Sequence, residues 1–145
     1  MQSDSARLLR ISRALRAAAG GGAMRQVADA MREGARPLPG YTARAALSQL
    51  PHRGGLDRRV AAEPVSITSR SSAESAVVTL AMRHHDAATT DRGYVEHLTY
   101  GRPPLRTESI PRASGWWSDT LRDRSHELTP HILRAMQRVA EDIQR

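Results

Sequence analysis

The pattern of hydrophobic and polar positions opens the chain with an amphipathic helix. In residues 4–19, Leu8, Ile11 and Leu15 recur at helical spacing on one face. Three glycines at 20–22 then end this helix, because glycine leaves the backbone too free to remain helical.

Helical periodicity resumes over residues 23–50. The inward positions of the first part, residues 23–35, are Met24, Val27, Ala28 and Met31. Pro37 and Pro39 interrupt the pattern, since proline lacks the backbone N–H and clashes with the preceding turn. The sequence leaves open whether residues 23–50 form one bent helix or two.

Strand periodicity follows the helices. Residues 64–70 and 76–83 each alternate apolar and polar side chains, and a short polar link joins them into a hairpin. Residues 84–93 then form a loop, and residues 94–100 form a third strand. We expect a small antiparallel sheet that consists of the hairpin and the third strand.

Residues 101–115 cannot form a helix, because they contain three prolines and begin and end with glycine. They predict an extended arm. Its length is unusual for a connection within a compact domain, and long segments of this kind are often functional.

The last part of the chain is again helical. Ser118 is a good N-cap residue, and Thr129-Pro130 predicts a bend or a division into helices 118–127 and 130–144. The apolar face of the second helix would consist of Ile132, Met136, Val139 and Ile143.

Together these elements predict an α+β fold. A chain of 145 residues is long enough for one domain and not comfortably for two. In this single domain, residues 1–59 form a basic helical part, residues 60–100 the β part, residues 101–115 the arm and residues 116–145 the C-terminal helix.

The excess positive charge lies in the N-terminal part. Residues 1–59 hold 11 arginines and four acidic residues, whereas residues 60–145 hold 11 of each, and the chain has no lysine. Four of the N-terminal arginines recur every three residues, at Arg7, Arg10, Arg13 and Arg16. Such asymmetry is typical of a protein with an anionic partner, and a solvated helical face gives the same pattern.

Large apolar side chains are scarce. Aromatic residues make up 3% of the chain, phenylalanine is absent and alanine is abundant. Because burial stabilises in proportion to the apolar area removed from water, a monomer of this composition would be marginally stable. We expect other copies of the chain to complete its apolar surfaces.

Catalytic and metal-binding patterns are not found. The chain has no cysteine, which excludes disulfides and thiolate metal sites. His84-His85-Asp86, with Asp91 and His97 nearby, matches no metal-ligand spacing and is interpreted as a polar loop. No nucleophile elbow, phosphate-binding loop or dinucleotide motif is present. We therefore expect no enzymatic activity, no cofactor and no metal.

The sequence also lacks membrane and secretion signals. No apolar run approaches the roughly 18 residues that span a bilayer. The first residues are charged and have no apolar core of a signal peptide, so we expect an origin in the cytoplasm and no membrane partner.

Two sets of residues are candidates for contacts with other molecules. Trp116 and Trp117 are the two tryptophans; we expect one to pack under the last helix and the other to meet a neighbouring subunit, unless both are partly buried within the monomer. The arginines of the arm are Arg102, Arg106 and Arg112. They would clasp a neighbouring subunit, bind DNA phosphate or lie in a solvated loop.

The last third of the chain resembles a known family. The order is a strand ending in the aromatic-glycine pair Tyr100-Gly101, an extended segment, then Gly115-Trp116-Trp117-Ser118-Asp119-Thr120-Leu121 and an amphipathic helix. This order resembles the neck and tail-completion (head–tail connector) proteins of long-tailed bacteriophages. The family often has a His-Pro pair before its aromatic-glycine, of which this chain has only His97.

The resemblance implies a small α+β structural protein of the virion neck, assembled in the cytoplasm of the bacterial host. Copies would form a ring between the DNA-filled head and the tail, with six copies expected and twelve for a place nearer the portal. Neighbouring neck and tail-tube proteins would be its partners. Genomic DNA would cross the lumen without sequence specificity. The family implies neither enzymatic activity nor a cofactor.

In this reading, Tyr100, the arm and one indole contact the next subunit. Arg7, Arg10, Arg13 and Arg16 face the lumen or an acidic neighbouring ring. Two alternatives remain open. One is a free-standing basic nucleic-acid-binding module, and the other is a small regulator whose amphipathic helices bind one partner protein.

Overall fold

The computed structural model describes residues 21–83, 87–99 and 102–144. Its fold is α+β, as the sequence predicts. The helices are α1 (Gly22–Ala35), α2 (Leu38–Gln49), α3 (Leu56–Ala61), α4 (Ala87–Asp91), α5 (Ser118–Arg124) and α6 (Thr129–Gln144). The strands are β1 (Val65–Ser71), β2 (Ala76–Met82), β3 (Tyr94–Thr99) and β4 (Arg102–Ser109). Short 3₁₀ turns cover Arg53–Gly55, Pro111–Ala113 and Ser125–Leu128.

The described residues form two compact units that interleave along the chain. The helix-pair unit comprises residues 21–36, 67–80 and 126–144. The tryptophan unit comprises the described residues within 37–66 and 81–125. Each unit thus combines separate stretches of sequence, so neither matches one of the four consecutive parts expected from the sequence. That the chain is one folding domain stays a prediction.

The helix-pair unit is built on close packing of α1 against α6. Its small core contains the buried residues Val27, Ala30 and Ala135. A Cβ added at Gly34 would lie 3.1 Å from the His131 ring, so the helices approach closely at this glycine. The close approach follows from the small side chains, which bring two helix backbones together without a large apolar core.

The inner face of α6 differs from the predicted one. Ala135 is fully buried and Ile132 packs against the same core, whereas Met136 is largely exposed. Val139 is half-buried as expected, and the predicted contact of Ile143 lies outside the described side chains. The helix is rotated about its axis relative to the prediction. Its apolar arc is wide, and the edge that carries Ala135 packs against α1.

The break between α1 and α2 is caused by the prolines, as predicted, and it separates two helices. Pro37 occupies the N-cap position of α2 and Pro39 lies in its first turn. A missing N–H has little effect there, because the first helical N–H groups have no intrahelical acceptor. Residues 23–50 therefore form two helices and not one bent helix.

The core of the tryptophan unit lies between α2, α3 and the segment that precedes α5. Its buried residues are Ala45, Ala46, Leu50, Leu56, Val60, Ala113 and Trp116. Next to this core, the guanidinium carbons of Arg44 and Arg124 lie 4.9 Å and 4.2 Å from the centre of the Tyr41 ring. The contact of Arg124 connects α5 with α2, whereas the contact of Arg44 lies within α2.

The β1–β2 hairpin lies where the sequence predicts it. The apolar residues of both strands are alternately half-buried, as the period of two requires. Its turn is closed by the Ser72 hydroxyl, which accepts hydrogen bonds from the backbone N–H groups of Glu74 and Ser75. Serine favours turns for this reason.

The predicted extended arm is wrong for most of its length. Residues 102–109 form β4, which pairs antiparallel with β3, and 111–113 form a 3₁₀ turn. The third strand is therefore paired with the supposed arm and not with the hairpin, so the described strands form two separate two-stranded sheets. Pro103 and Pro104 fall where the register is irregular, between the pairs Leu98–Leu105 and Thr99–Arg102. A bulge accommodates residues that have no N–H for the ladder.

Two further expectations concern helices. The region 84–93, expected to be a loop, includes the short helix α4. The division of the last helix is confirmed, because a 3₁₀ turn at Ser125–Leu128 separates α5 from α6.

Replacing Gly115 should destabilise the fold, whereas replacing Gly40 should not. Gly115 has a φ of 82°, and a Cβ there would collide with the Asp119 carboxylate, whereas Gly40 is helical and has open space around it. We expect Gly115→Ala to lower the free energy of unfolding by about 1–3 kcal/mol. Gly40→Ala should leave it unchanged or raise it by up to about 1 kcal/mol. Chemical denaturation of both variants measures the difference, and equal effects would contradict the strained position of Gly115.

A candidate assembly surface

The sequence-predicted contact residues are scattered in the structure. Arg7, Arg10, Arg13, Arg16 and Tyr100 lie outside the described residues. On β4, Arg102 pairs with Thr99 and Arg106 pairs with His97. Both arginines belong to a paired strand, which corrects the expectation of an arm that reaches out freely.

Trp116 is a core residue of the tryptophan unit. Its side chain is 1% exposed. Its indole N–H donates a hydrogen bond of 3.2 Å to the Thr90 hydroxyl, so the polar end of the ring is also satisfied. A partner cannot reach this buried side chain, which corrects its expected role as a contact residue.

Trp117 is half-buried beside Trp116. The two rings meet edge to face, with centroids 5.6 Å apart and an angle of 68° between their planes. The backbone at 114–117 turns and is not extended, which brings the two rings together. Both tryptophans therefore contribute to the monomer, which is the alternative that the sequence left open. A contact of Trp117 with a partner stays a prediction.

The structural role of Asp91 was not predicted from the sequence. Its carboxylate accepts hydrogen bonds from the backbone N–H groups of Trp117 and Ser118, at 2.8 and 3.0 Å. Ser118, the predicted N-cap, is instead the first residue of α5, and the cap residue Trp117 provides no side-chain hydrogen bond. Asp91 thus caps a helix 27 residues further along the chain. No local sequence signal shows such a contact.

The outer face of α6 exposes large apolar side chains. Leu133 is 61% exposed and Met136 is 55% exposed. They are three residues apart and therefore neighbours on the helix, and the exposed Ala140 continues the face one turn later. We call Leu133, Met136 and Ala140 the outer stripe of α6. The other exposed large apolar side chains of the described residues, Leu47, Val77 and Tyr94, each lie alone on their element.

A second apolar surface is a groove in the tryptophan unit. Leu50, Pro51, Ile110 and Ala113 line it with buried or half-buried carbon, and the exposed His52 and Arg112 stand at its edge. Its volume is about 630 Å³. The groove thus combines an apolar floor with a basic edge.

His52 is held in place by a buried carboxylate. Its Nδ1 lies 2.6 Å from Oδ2 of Asp57, and Asp57 is 4% exposed. The hydrogen bond from His52 lowers the pKa of the Asp57 carboxyl, and this effect outweighs burial, which raises it. Because Asp57 fixes Nδ1, the other ring nitrogen is free to meet a ligand or partner.

Other classes of site receive no support in the described part of the chain. It contains no group of three or more His, Asp or Glu side chains that could hold a metal ion. None of its helices is long and apolar enough to cross a membrane. Comparisons with protein-family models, curated proteins and solved structures found no match. The resemblance to phage neck proteins therefore stays a prediction.

The capping role of Asp91 can be tested with two substitutions. Asp91→Ala removes the acceptor for two N–H groups and should lower the free energy of unfolding by about 0.5–2 kcal/mol. Asp91→Asn keeps an acceptor oxygen and should lose less. Denaturation followed by tryptophan fluorescence measures both. If Asp91→Ala were as stable as the wild type, the cap would be unimportant.

Acid should remove a stabilising effect of His52. Because the pKa of Asp57 is lower in the folded than in the unfolded chain, the hydrogen bond stabilises the fold above the unfolded-state pKa, which is about 4. This stabilisation is lost as the pH falls through the folded-state pKa. The difference in unfolding free energy between wild type and His52→Ala should therefore be larger near about pH 5 than near about pH 2. Arg53→Ala, at the exposed neighbouring position, is the control and should show no such dependence.

Proposed function

We propose that this chain is a structural protein whose copies assemble through the outer stripe of α6. The observation that supports the proposal is the exposure of Leu133 and Met136 on one helical face. In a protein so poor in large apolar residues, leaving two of them in water has a cost unless another surface covers them. The resemblance of residues 93–143 to neck proteins suggests which assembly: a ring of the phage neck, at the junction of head and tail.

The energetics favour association over a solitary chain. Burying a leucine or methionine side chain contributes about 1.5–3 kcal/mol. One contact that covers both residues is weak, but a closed ring forms a contact on each side of every copy. Ring closure therefore stabilises the assembly more than one pairwise contact does. Six copies fit the neck reading, and twelve would fit a position nearer the portal.

The balanced charge of the helix pair supports loose contact with DNA rather than a dedicated DNA-binding surface there. On one side of the helix pair, Asp29, Glu33, Glu141 and Asp142 lie around Arg138. Across residues 21–36 and 126–144, five arginines are matched by five acidic residues. A surface without excess positive charge attracts phosphate weakly, so DNA contact falls to the more basic residues elsewhere. Arg7, Arg10, Arg13 and Arg16 would then face the lumen or an acidic neighbouring ring, as proposed from the sequence.

The proposal predicts that acidic substitutions on α6 abolish assembly without unfolding the chain. Light scattering and negative-stain images of the purified protein should show closed rings. Leu133→Asp with Met136→Asp should give monomers, because each contact would have to bury carboxylates. Both positions are exposed, so the far-ultraviolet circular dichroism of the variant should match the wild type.

Leu133→Ala with Met136→Ala is the matched control: it keeps the face apolar and should weaken assembly without abolishing it. A wild-type protein that stays monomeric at high concentration would overturn the proposal. A monomer that binds DNA in a strongly salt-dependent way would favour the nucleic-acid-binding alternative.

A further inference from the structure

A closed ring needs two different surfaces on each copy. When a surface binds the same surface of another copy, the contact is two-fold and produces a dimer, whereas a ring of more copies needs one surface to bind a different one. This inference rests on the proposed function, which supplies the outer stripe of α6 as the first surface. The question is which surface of the next copy receives it.

The groove of the tryptophan unit has the required chemistry. Its floor is apolar carbon from Leu50, Pro51, Ile110 and Ala113, and its edge carries His52 and Arg112. No residue that lines it is acidic. A volume of about 630 Å³ accommodates a few side chains but not a whole helix. The groove therefore suits a short apolar surface that has negative charge next to it.

The C-terminal end of α6 has the complementary chemistry. Met136 and Ala140 are exposed there, and Glu141 and Asp142 follow. The last turn contains no basic residue, so the carboxylates add to the negative end of the helix dipole. Gln137 donates a hydrogen bond of 3.2 Å to Glu141, which fixes this carboxylate in the turn that follows Ala140.

We propose that the outer stripe and last turn of α6 in one copy dock into the groove of the tryptophan unit in the next copy. Met136 and Ala140 pack on the apolar floor. Glu141 meets Arg112, and the negative end of the helix faces His52, whose orientation Asp57 fixes. The contact is heterologous, because it joins different units of two copies, and such contacts form a ring when the rotation between copies closes.

Charge reversal tests the proposed ion pair. Arg112→Glu should lower the assembled fraction at least tenfold, because it places an acid against Glu141. Combining it with Glu141→Arg in the same chain should restore assembly. Arg53→Glu changes charge equally at an exposed position outside the groove lining and should leave assembly intact. If Arg112→Glu assembles like the wild type, the proposal is wrong.

Cross-linking tests independently whether α6 of one copy lies in the groove of the next. The chain has no native cysteine, so only introduced thiols react. Ser48→Cys places a thiol in the groove lining, and Ala140→Cys places one on the outer stripe. Mixing the two variants with a short thiol-reactive cross-linker should give a covalent dimer of one copy of each. Each variant alone should give almost none. Efficient cross-linking of Ala140→Cys to itself would show that α6 binds α6 and would overturn the docking proposal.

The two proposals fail in different ways. If the wild-type protein does not assemble, the proposed function fails and the docking contact with it. If Leu133→Asp with Met136→Asp prevents assembly while Arg112→Glu does not, assembly through α6 stands and the groove is not its partner. Rescue by the double charge reversal, together with mixed cross-linking, supports both.

Discussion

Burial of the Trp116 indole is the interaction on which the tryptophan unit depends. The chain has no phenylalanine and two tryptophans, so one ring supplies apolar area that several residues would supply elsewhere. Around it pack alanines and a few aliphatic residues from α2 and α3. The hydrogen bond from its N–H to Thr90, and the adjacent cap from Asp91, fix α4 and the start of α5 relative to that ring. The core is therefore specified by one large side chain and the polar contacts beside it.

The helix-pair unit also has few large apolar side chains, but its core depends on close helix packing and not on one large ring. Its helices approach through alanine and glycine, so that backbone contact replaces large side chains. Two larger apolar residues of α6, Leu133 and Met136, are left on the other edge of its apolar arc, where nothing in the described unit buries them. The candidate assembly surface is thus a direct result of how α6 packs in the monomer.

Features that depend on local sequence were predictable, whereas those that depend on contacts distant in sequence were not. The hairpin, the proline break after α1 and the division of the last helix follow from periodicity and from the backbone chemistry of proline. The strand β4 was missed because its prolines argue against a strand, and only pairing with β3 explains it. Asp91 was missed because its acceptors lie 26 and 27 residues away. The rotation of α6 was mistaken because alanine, which decides it here, gives a weak signal in an apolar pattern.

The register irregularity at Pro103 and Pro104 has a consequence for how the β3–β4 sheet can pair with other strands. An unpaired strand edge offers a row of backbone donors and acceptors to any other strand, and thereby promotes open-ended aggregation. Two consecutive residues without N–H groups remove backbone donors from β4, one of the two strands of this sheet. Backbone pairing with a further strand is thus discouraged at this point of β4, and in the proposed assembly side-chain complementarity would decide how copies join.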